Sequence, residues 1–207
     1  VEESRPVEPA DYERLLTRVR ARMPSARAVV MSGTLTSGGP VDFYSRCTGL
    51  AREAGALSVV DAQGPPLLEC LKAAPDLVKP NHSELAATLG RRLATERAVL
   101  LAMKEFSQRG ARRVVVTAGK EPTLAFDGQQ CWRITPPRLK AVNPIGSGDA
   151  FTAGLVWRLV AGDDLSEACR WASAAGAANA LTLMAGEVHR PEVERLAGEV
   201  LLQALAV

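Results

Sequence analysis

No long apolar run, no surplus of one charge and no closely spaced cysteine pair occurs in this 207-residue chain, and each absence removes a class of protein. The longest uncharged stretch near the C-terminus, residues 171–186, is rich in Ala, is broken by Ser173, Asn179 and Thr182, and is too short to cross a bilayer as a helix. Lys and Arg number 25 against 23 Asp and Glu, a net charge of +2, and the basic residues are scattered along the chain. Nucleic acid and anionic membrane are therefore set aside as partners. Cys47, Cys70, Cys131 and Cys169 form no C-x-x-C, which argues against a zinc ribbon or redox pair and for four free, buried thiols. No charged segment followed by an apolar one opens the chain, so secretion is not indicated and a cytoplasmic location is expected. The chain also lacks an initiator Met, starting at Val1, and reads as a piece of something longer.

Several catalytic spacings are absent too: G-x-x-x-x-G-K-[ST], H-E-x-x-H, G-x-S-x-G and a complete G-x-G-x-x-G. His82 and His189 stand alone without an acidic or thiol partner pattern and read as surface residues.

What is present is an alternation of short β-branched runs with longer segments of helical spacing. It predicts an α/β chain with a mainly parallel sheet layered between helices, organised as a single domain over residues 1–207. Strands are expected at 28–31, 57–61, 76–79 and 113–117, with a hairpin of 123–126 and 130–135 around Asp127-Gly128. Helices are expected at 11–23, 41–54, 66–72, 83–89 and 94–109. The last third reads as wholly helical, at 149–161, 165–184 and 191–205. The strands carrying Val29, Val59 and Val115 are expected in one sheet.

The segment Asn143-Pro144-Ile145-Gly146-Ser147-Gly148-Asp149 stands above this background, because two glycines bracket Ser147 just before an acidic residue and a helical segment. Small residues at a helix N-terminus let successive backbone N–H groups converge on an anion. An aspartate there would repel the same anion, unless Asp149 faces the attacking hydroxyl of an acceptor and takes its proton as general base. The plainer alternative, an ordinary Asp cap with flexible glycines, is disfavoured by the pattern's continuation through Ala153-Gly154.

Residues 143–156 resemble the second signature of the PfkB-type, ribokinase-like carbohydrate kinases. The resemblance implies Asp149 as catalytic base and Gly146, Ser147 and Gly148 as the anion hole. Asn143 and Pro144 stand where Asp and Thr are commoner. The segment Lys79-Pro80-Asn81-His82-Ser83-Glu84-Leu85 is similar to the Lys-Pro-Asn-x-x-Glu-Leu of the sugar-phosphate branch, which includes 1-phosphofructokinase, the minor 6-phosphofructokinase and tagatose-6-phosphate kinase. In that branch the Asn and Glu organise Mg²⁺ and the nucleotide phosphates, partly through water. Those roles fall on Asn81 and Glu84, with Lys79 near the phosphates and no direct metal ligand. The same pair is also the signature of a helix capping box, a compatible use.

Weaker likenesses extend over nearly the whole chain. They place Ser32-Gly33-Thr34-Leu35 near the sugar, Thr117 and Gly119 beside the nucleotide, and Gly176, Asn179 and Gly186 where the family closes the adenine pocket. Small residues at Gly176 and Asn179 equally suit close helix packing. Pro122 stands where the nucleotide loop often has a second glycine, so the loop around Lys120 and Glu121 departs from the glycine version. Family members begin with a segment bearing the first signature, most of the sugar-phosphate grip and a small β lid that often forms a dimer interface. The resemblance thus implies a three-layer αβα ribokinase-like fold without its N-terminal part and lid. It also implies an ATP- and Mg²⁺-dependent kinase of a sugar phosphate (fructose 1-phosphate, fructose 6-phosphate or tagatose 6-phosphate), with oligomerisation a property of the longer parent. The alternatives are a kinase of an unphosphorylated sugar or nucleoside in the same superfamily, or a non-catalytic nucleotide-binding relic.

Overall fold

The computed structural model describes residues 7–206; residues 1–6 and 207, the ends of the expected domain, lie outside the described residues. The chain clusters into two compact units, Val1–Val114 and Val115–Val207.

The first unit alternates helices with short strands: α1 (Pro9–Arg22) with a 3₁₀ turn (Met23–Ser25), β1 (Ala28–Ser32), α2 (Phe43–Glu53), β2 (Leu57–Asp61), α3 (Gly64–Leu71), β3 (Leu77–Val78), α4 (His82–Leu89) and α5 (Glu96–Gln108). Val114, which opens β4 (Val114–Ala118), closes it. β1 pairs in parallel with β2 from Ala28↔Leu57 to Ser32↔Asp61, β2 with β3 at Val59↔Leu77, and β3 with β4 at Val78↔Val114. The apolar runs are continuous because both faces of these strands are covered: Val59, Val60, Leu77, Val78 and Val114 have no exposed surface. Away from the strands' C-terminal ends, Asp76 pins the sheet by accepting from the Ser58 amide at 2.9 Å and the Ser58 hydroxyl at 2.8 Å. α3 begins two residues before the expected 66, since Pro65 and Pro66 fall in its first turn, where a missing N–H leaves no bond unmade.

The second unit holds the rest of β4, β5 (Glu121–Phe126), β6 (Cys131–Thr135), α6 (Ser147–Ala161), α7 (Leu165–Ala180), α8 (Arg190–Ala197) and β7 (Leu201–Leu205). β5 and β6 form the expected hairpin, antiparallel from Thr123↔Ile134 to Phe126↔Cys131, and the Asp127 carboxylate accepts from the amides of Gln129 and Gln130 at 2.9 and 2.7 Å. α6 and α7 pack closely: a Cβ on Gly154 would lie 3.0 Å from the Ala175 Cβ and 3.1 Å from the Ala172 Cα. Within the first unit β1, β2 and β3 hydrogen-bond in chain order, so Val29 and Val59 belong to one parallel sheet, and β3 pairs with Val114 at the start of β4. The strand pairs of the first unit are parallel, and within the second unit β5, β6 and β7 pair antiparallel.

Two expectations are corrected. The helix expected at 165–184 stops at Ala180, because the Thr182 hydroxyl donates to the carbonyls of Asn179 (2.8 Å) and Met184 (3.0 Å) and diverts the backbone into a loop. The helix expected at 191–205 splits. Its buried face ends with Val193, Leu196 and Ala197, Gly198 follows, and residues 201–205 run instead as β7 against β6, from Cys131↔Leu205 to Thr135↔Leu201. Leu-rich sequence favours a helix, but the unpaired edge of β6 decides the outcome.

Candidate active site

In the first unit the residues of interest gather where the parallel strands end, the edge at which α/β sheets present loops to ligands. Lys79, directly after β3, is only 3% exposed, and its ammonium lies 3.0 Å from the carboxylate of Asp61, the last residue of β2. The same Asp61 accepts through its carbonyl from the Gly33 amide at 3.0 Å, and the Tyr44 hydroxyl donates to the Gly33 carbonyl at 3.0 Å. Burial, then the neighbouring Tyr12, thiols and Asp61, raises the Tyr44 phenol above its ordinary range and keeps it a donor. The Gly-rich turn after β1 is further tied by Tyr12, whose hydroxyl lies 2.7 Å from the Thr36 Oγ1 and accepts from the Thr36 amide at 3.1 Å. Thr36, which replaces a commoner proline, is thus used by the fold.

Asn81 caps α4 in a complete capping box: its Oδ1 accepts from the Glu84 amide at 2.9 Å, and Glu84 accepts from the Asn81 amide at 2.7 Å. Both side chains are half-buried. The capping use is therefore real, and it takes one oxygen from each side chain. His82 is not a bare surface residue: its Nε2 lies 2.8 Å from the Leu93 carbonyl.

In the second unit α6 starts at Ser147, two residues before the expected 149, with Gly146 as its N-cap at φ +84°. That backbone belongs to glycine, and the site is also closed, since a Cβ there would lie 2.7 Å from the Gly186 amide nitrogen. Gly148 contrasts with it: its φ is ordinary and a Cβ would meet nothing within 4 Å. Asp149 stands in the first turn of α6, exposed, and its carboxylate makes no hydrogen bond or ion pair among the described residues. Of the loop amides, that of Ser147 donates to the Pro144 carbonyl at 3.2 Å.

Gly176 and Asn179 touch this loop from α7. A Cβ on Gly176 would lie 3.0 Å from the Ser147 carbonyl oxygen. Asn179, with no exposed surface, donates to the Ile145 carbonyl (2.9 Å) and the Ser147 hydroxyl (3.1 Å) and accepts from the Gly186 amide (2.6 Å). Thr117, the penultimate residue of β4, is half-buried, and Gly119, exposed at φ +63°, forms with Lys120 the tight turn into β5. Pro122 is absorbed near the start of β5.

Sequence reasoning missed Asp61, although an acidic residue ending a parallel strand is a recognisable signal. It also missed the part played by Asn143, which accepts from the Ile145 amide at 3.0 Å and donates to the Leu183 carbonyl at 2.9 Å, the Asx turn that Asn-Pro invites. Arg158 lies 4.7 Å from the Trp171 ring and 5.1 Å from the Trp157 ring, a pairing that only the α6–α7 packing reveals. All four cysteines are free and buried, and burial pushes the Cys47 and Cys70 thiols up to about 11 and Cys169 higher still. Among the described residues no group of three or more His, Cys, Asp or Glu is placed to hold a metal, and no helix is long and apolar enough to cross a membrane.

The glycine-opened helix start beside Asp149 is the candidate site, and comparison with known proteins identifies the chain's lineage. Residues 7–189 match the pfkB family of carbohydrate kinases, and the chain belongs to that family. It is 36% identical over 182 residues to the D-tagatose-1-phosphate kinase of Bacillus licheniformis, covering 87% of this chain and 60% of that protein. It is 36% identical over 172 residues to the 1-phosphofructokinase of Rhodobacter capsulatus, covering 82% of this chain and 52% of that protein. Among solved structures it resembles the phosphofructokinase-2 of Escherichia coli in complex with potassium, with a TM-score of 0.87 and 26% identity over 96% of this chain and 64% of the other. The fold is thus the three-layer α/β fold of the ribokinase-like kinases, and the chain spans less than two thirds of the length of each of these relatives.

Proposed function

We propose that this chain carries the phosphoryl-transfer half of an ATP-dependent kinase acting on a hydroxyl of a ketohexose phosphate. The observation that carries the reading is the start of α6. Gly148 is a glycine that neither its backbone angle nor any neighbouring protein atom requires, which fits a position kept bare for an outside group. Amide groups there would stabilise negative charge on the transferring phosphoryl group, while the adjacent Asp149, exposed and unpaired, would accept the proton of the attacking hydroxyl.

The bound nucleotide's Mg²⁺ would neutralise charge between its phosphates. Asn81 and Glu84 suit a water-mediated hold on it, because the capping box leaves the Asn81 Nδ2 and the second Glu84 oxygen available without supplying a cage of ligands. Lys79 acts in this reading through Asp61, as a buried charge pair at the strand ends next to Asn81. Ile145, Leu183 and Met184 are 69%, 79% and 67% exposed on the loops joined through Asn143 and Asn179, and offer apolar surface to a flat base. The relatives' names support fructose 1-phosphate or tagatose 1-phosphate as acceptor, and fructose 6-phosphate and tagatose 6-phosphate are carried as further acceptors by the sequence resemblance.

The test is a coupled ADP-release assay with these four sugar phosphates, paired with calorimetric titration of ATP and Mg²⁺, on the whole protein that carries this sequence and on its Asp149→Asn variant. ADP release that needs one of the sugar phosphates is expected, falling about a hundredfold to ten-thousandfold in the variant while ATP affinity is kept. Turnover that survives Asp149→Asn removes Asp149 as the base. ATP binding with no ADP release from any acceptor replaces the kinase with a nucleotide-binding relic.

A further inference from the structure

Taking residues 146–148 as the phosphate cradle proposed above, we infer that Asn179 is a positioning residue that aims the cradle's amides and does not itself touch the nucleotide. Asn179 binds both loops around the start of α6 from the helix behind them: its Nδ2 donates to the Ile145 carbonyl and the Ser147 hydroxyl, and its Oδ1 accepts from the Gly186 amide. With no exposed surface and both ends of the carboxamide engaged, it has no polar atom left to offer a ligand without breaking one of these bonds.

The consequence for the cradle follows from peptide geometry. A trans peptide holds its C=O and N–H on opposite sides, so fixing the Ile145 carbonyl toward α7 turns the Gly146 N–H away from α7. The bond to Ser147 fixes the next residue, and the bond to Gly186 holds in place the backbone that a Cβ on Gly146 would strike at 2.7 Å. Gly176, one turn earlier on the same face of α7, brings the helix against the Ser147 carbonyl. An Asn is suited to this place because the two loops need a donor on one side and an acceptor on the other. Asp supplies only the acceptor, and an aliphatic residue neither.

The experiment compares the unaltered chain with Asn179→Asp and Asn179→Ala by amide hydrogen exchange without ligand, by thermal melting, and by ATP titration and ADP release. In Asn179→Ala the Gly186 amide, which loses its acceptor, should exchange at least about tenfold faster, and the Ile145 and Ser147 amides, whose own acceptors are the Asn143 Oδ1 and the Pro144 carbonyl, should also exchange faster because the loop that Nδ2 anchors through the Ile145 carbonyl and the Ser147 hydroxyl is released. In Asn179→Asp the Gly186 amide should stay protected while those of Ile145 and Ser147 speed up, a split that general loosening of the fold does not produce. In turnover, kcat should fall about tenfold or more in Asn179→Asp with KM for ATP little changed. Unchanged exchange at Ile145 and Ser147 in both variants, with the fold intact, overturns the positioning role whatever the activity. Failure of the unaltered chain to bind ATP overturns the kinase reading, and the exchange split still decides for or against Asn179.

Discussion

Gly146 and Gly148 are two residues apart and identical in composition, yet the structure requires them for different reasons. Gly146 is needed by the protein, through its left-handed backbone and the Gly186 amide against which a side chain would press. Gly146→Ala should therefore destabilise the fold by about 1–3 kcal/mol in urea denaturation, before any ligand is considered. A Cβ on Gly148 meets nothing within 4 Å, so Gly148→Val should leave the unfolding free energy within about 0.5 kcal/mol apart from β-branched helix propensity, and abolish ATP binding. Equal loss of stability in both variants would contradict this division. At the same scale the Lys79–Asp61 pair is almost wholly removed from water. Removing one partner leaves the other charge buried, so Lys79→Met should cost about 3–5 kcal/mol in the same measurement. A change near zero would show that water reaches Asp61.

At the scale of elements, α7 supports the site as much as α6 does. The two helices meet through Gly154, whose Cβ position is bounded by Ala175, the Ala172 backbone and the Trp171 carbonyl at 3.0 to 3.3 Å. Gly154→Val must push the helices apart, an overpacking worth about 1–3 kcal/mol in chemical denaturation, and should weaken ATP binding with it because Gly176 and Asn179 ride on the displaced helix. Stability loss with unaltered ATP affinity would separate α7 from the cradle. Thr182 and β7 belong to this scale too. A hydroxyl bonding back to the Asn179 carbonyl ends α7, and an unpaired strand edge recruits residues 201–205, so neither boundary is a property of the local sequence.

At the scale of the whole molecule, the proposed function links ligand binding to stability, because a nucleotide held only by the folded chain stabilises it against unfolding. With Mg²⁺ and ATP at about a hundred times the dissociation constant, the unfolding free energy should rise by about 2.7 kcal/mol. The same rise is expected for Asp149→Asn, whose carboxylate is not needed for binding. A melting temperature that ignores ATP would leave the family's fold without its nucleotide. The chain covers 60% and 52% of its two curated relatives, so the acceptor's identity is a question for turnover assays on the whole protein.

The sequence by itself determined the α/β alternation, the β2 strand at 57–61, the hairpin around Asp127-Gly128 and the Gly146–Asp149 segment, because each rests on period, turn chemistry or glycine spacing within a few residues. The Asn81–Glu84 capping box was legible for the same reason, its two members being one helical turn apart. Tertiary structure alone decided that Lys79 pairs with Asp61, that Thr36 is held by Tyr12 and that Asn179 serves the loops on either side of it, since those partners lie between 7 and 34 residues away in the chain or on a different strand. It also turned residues 201–205 from a helical pattern into a strand, because an open edge on β6 outweighed the helix preference of leucine and alanine.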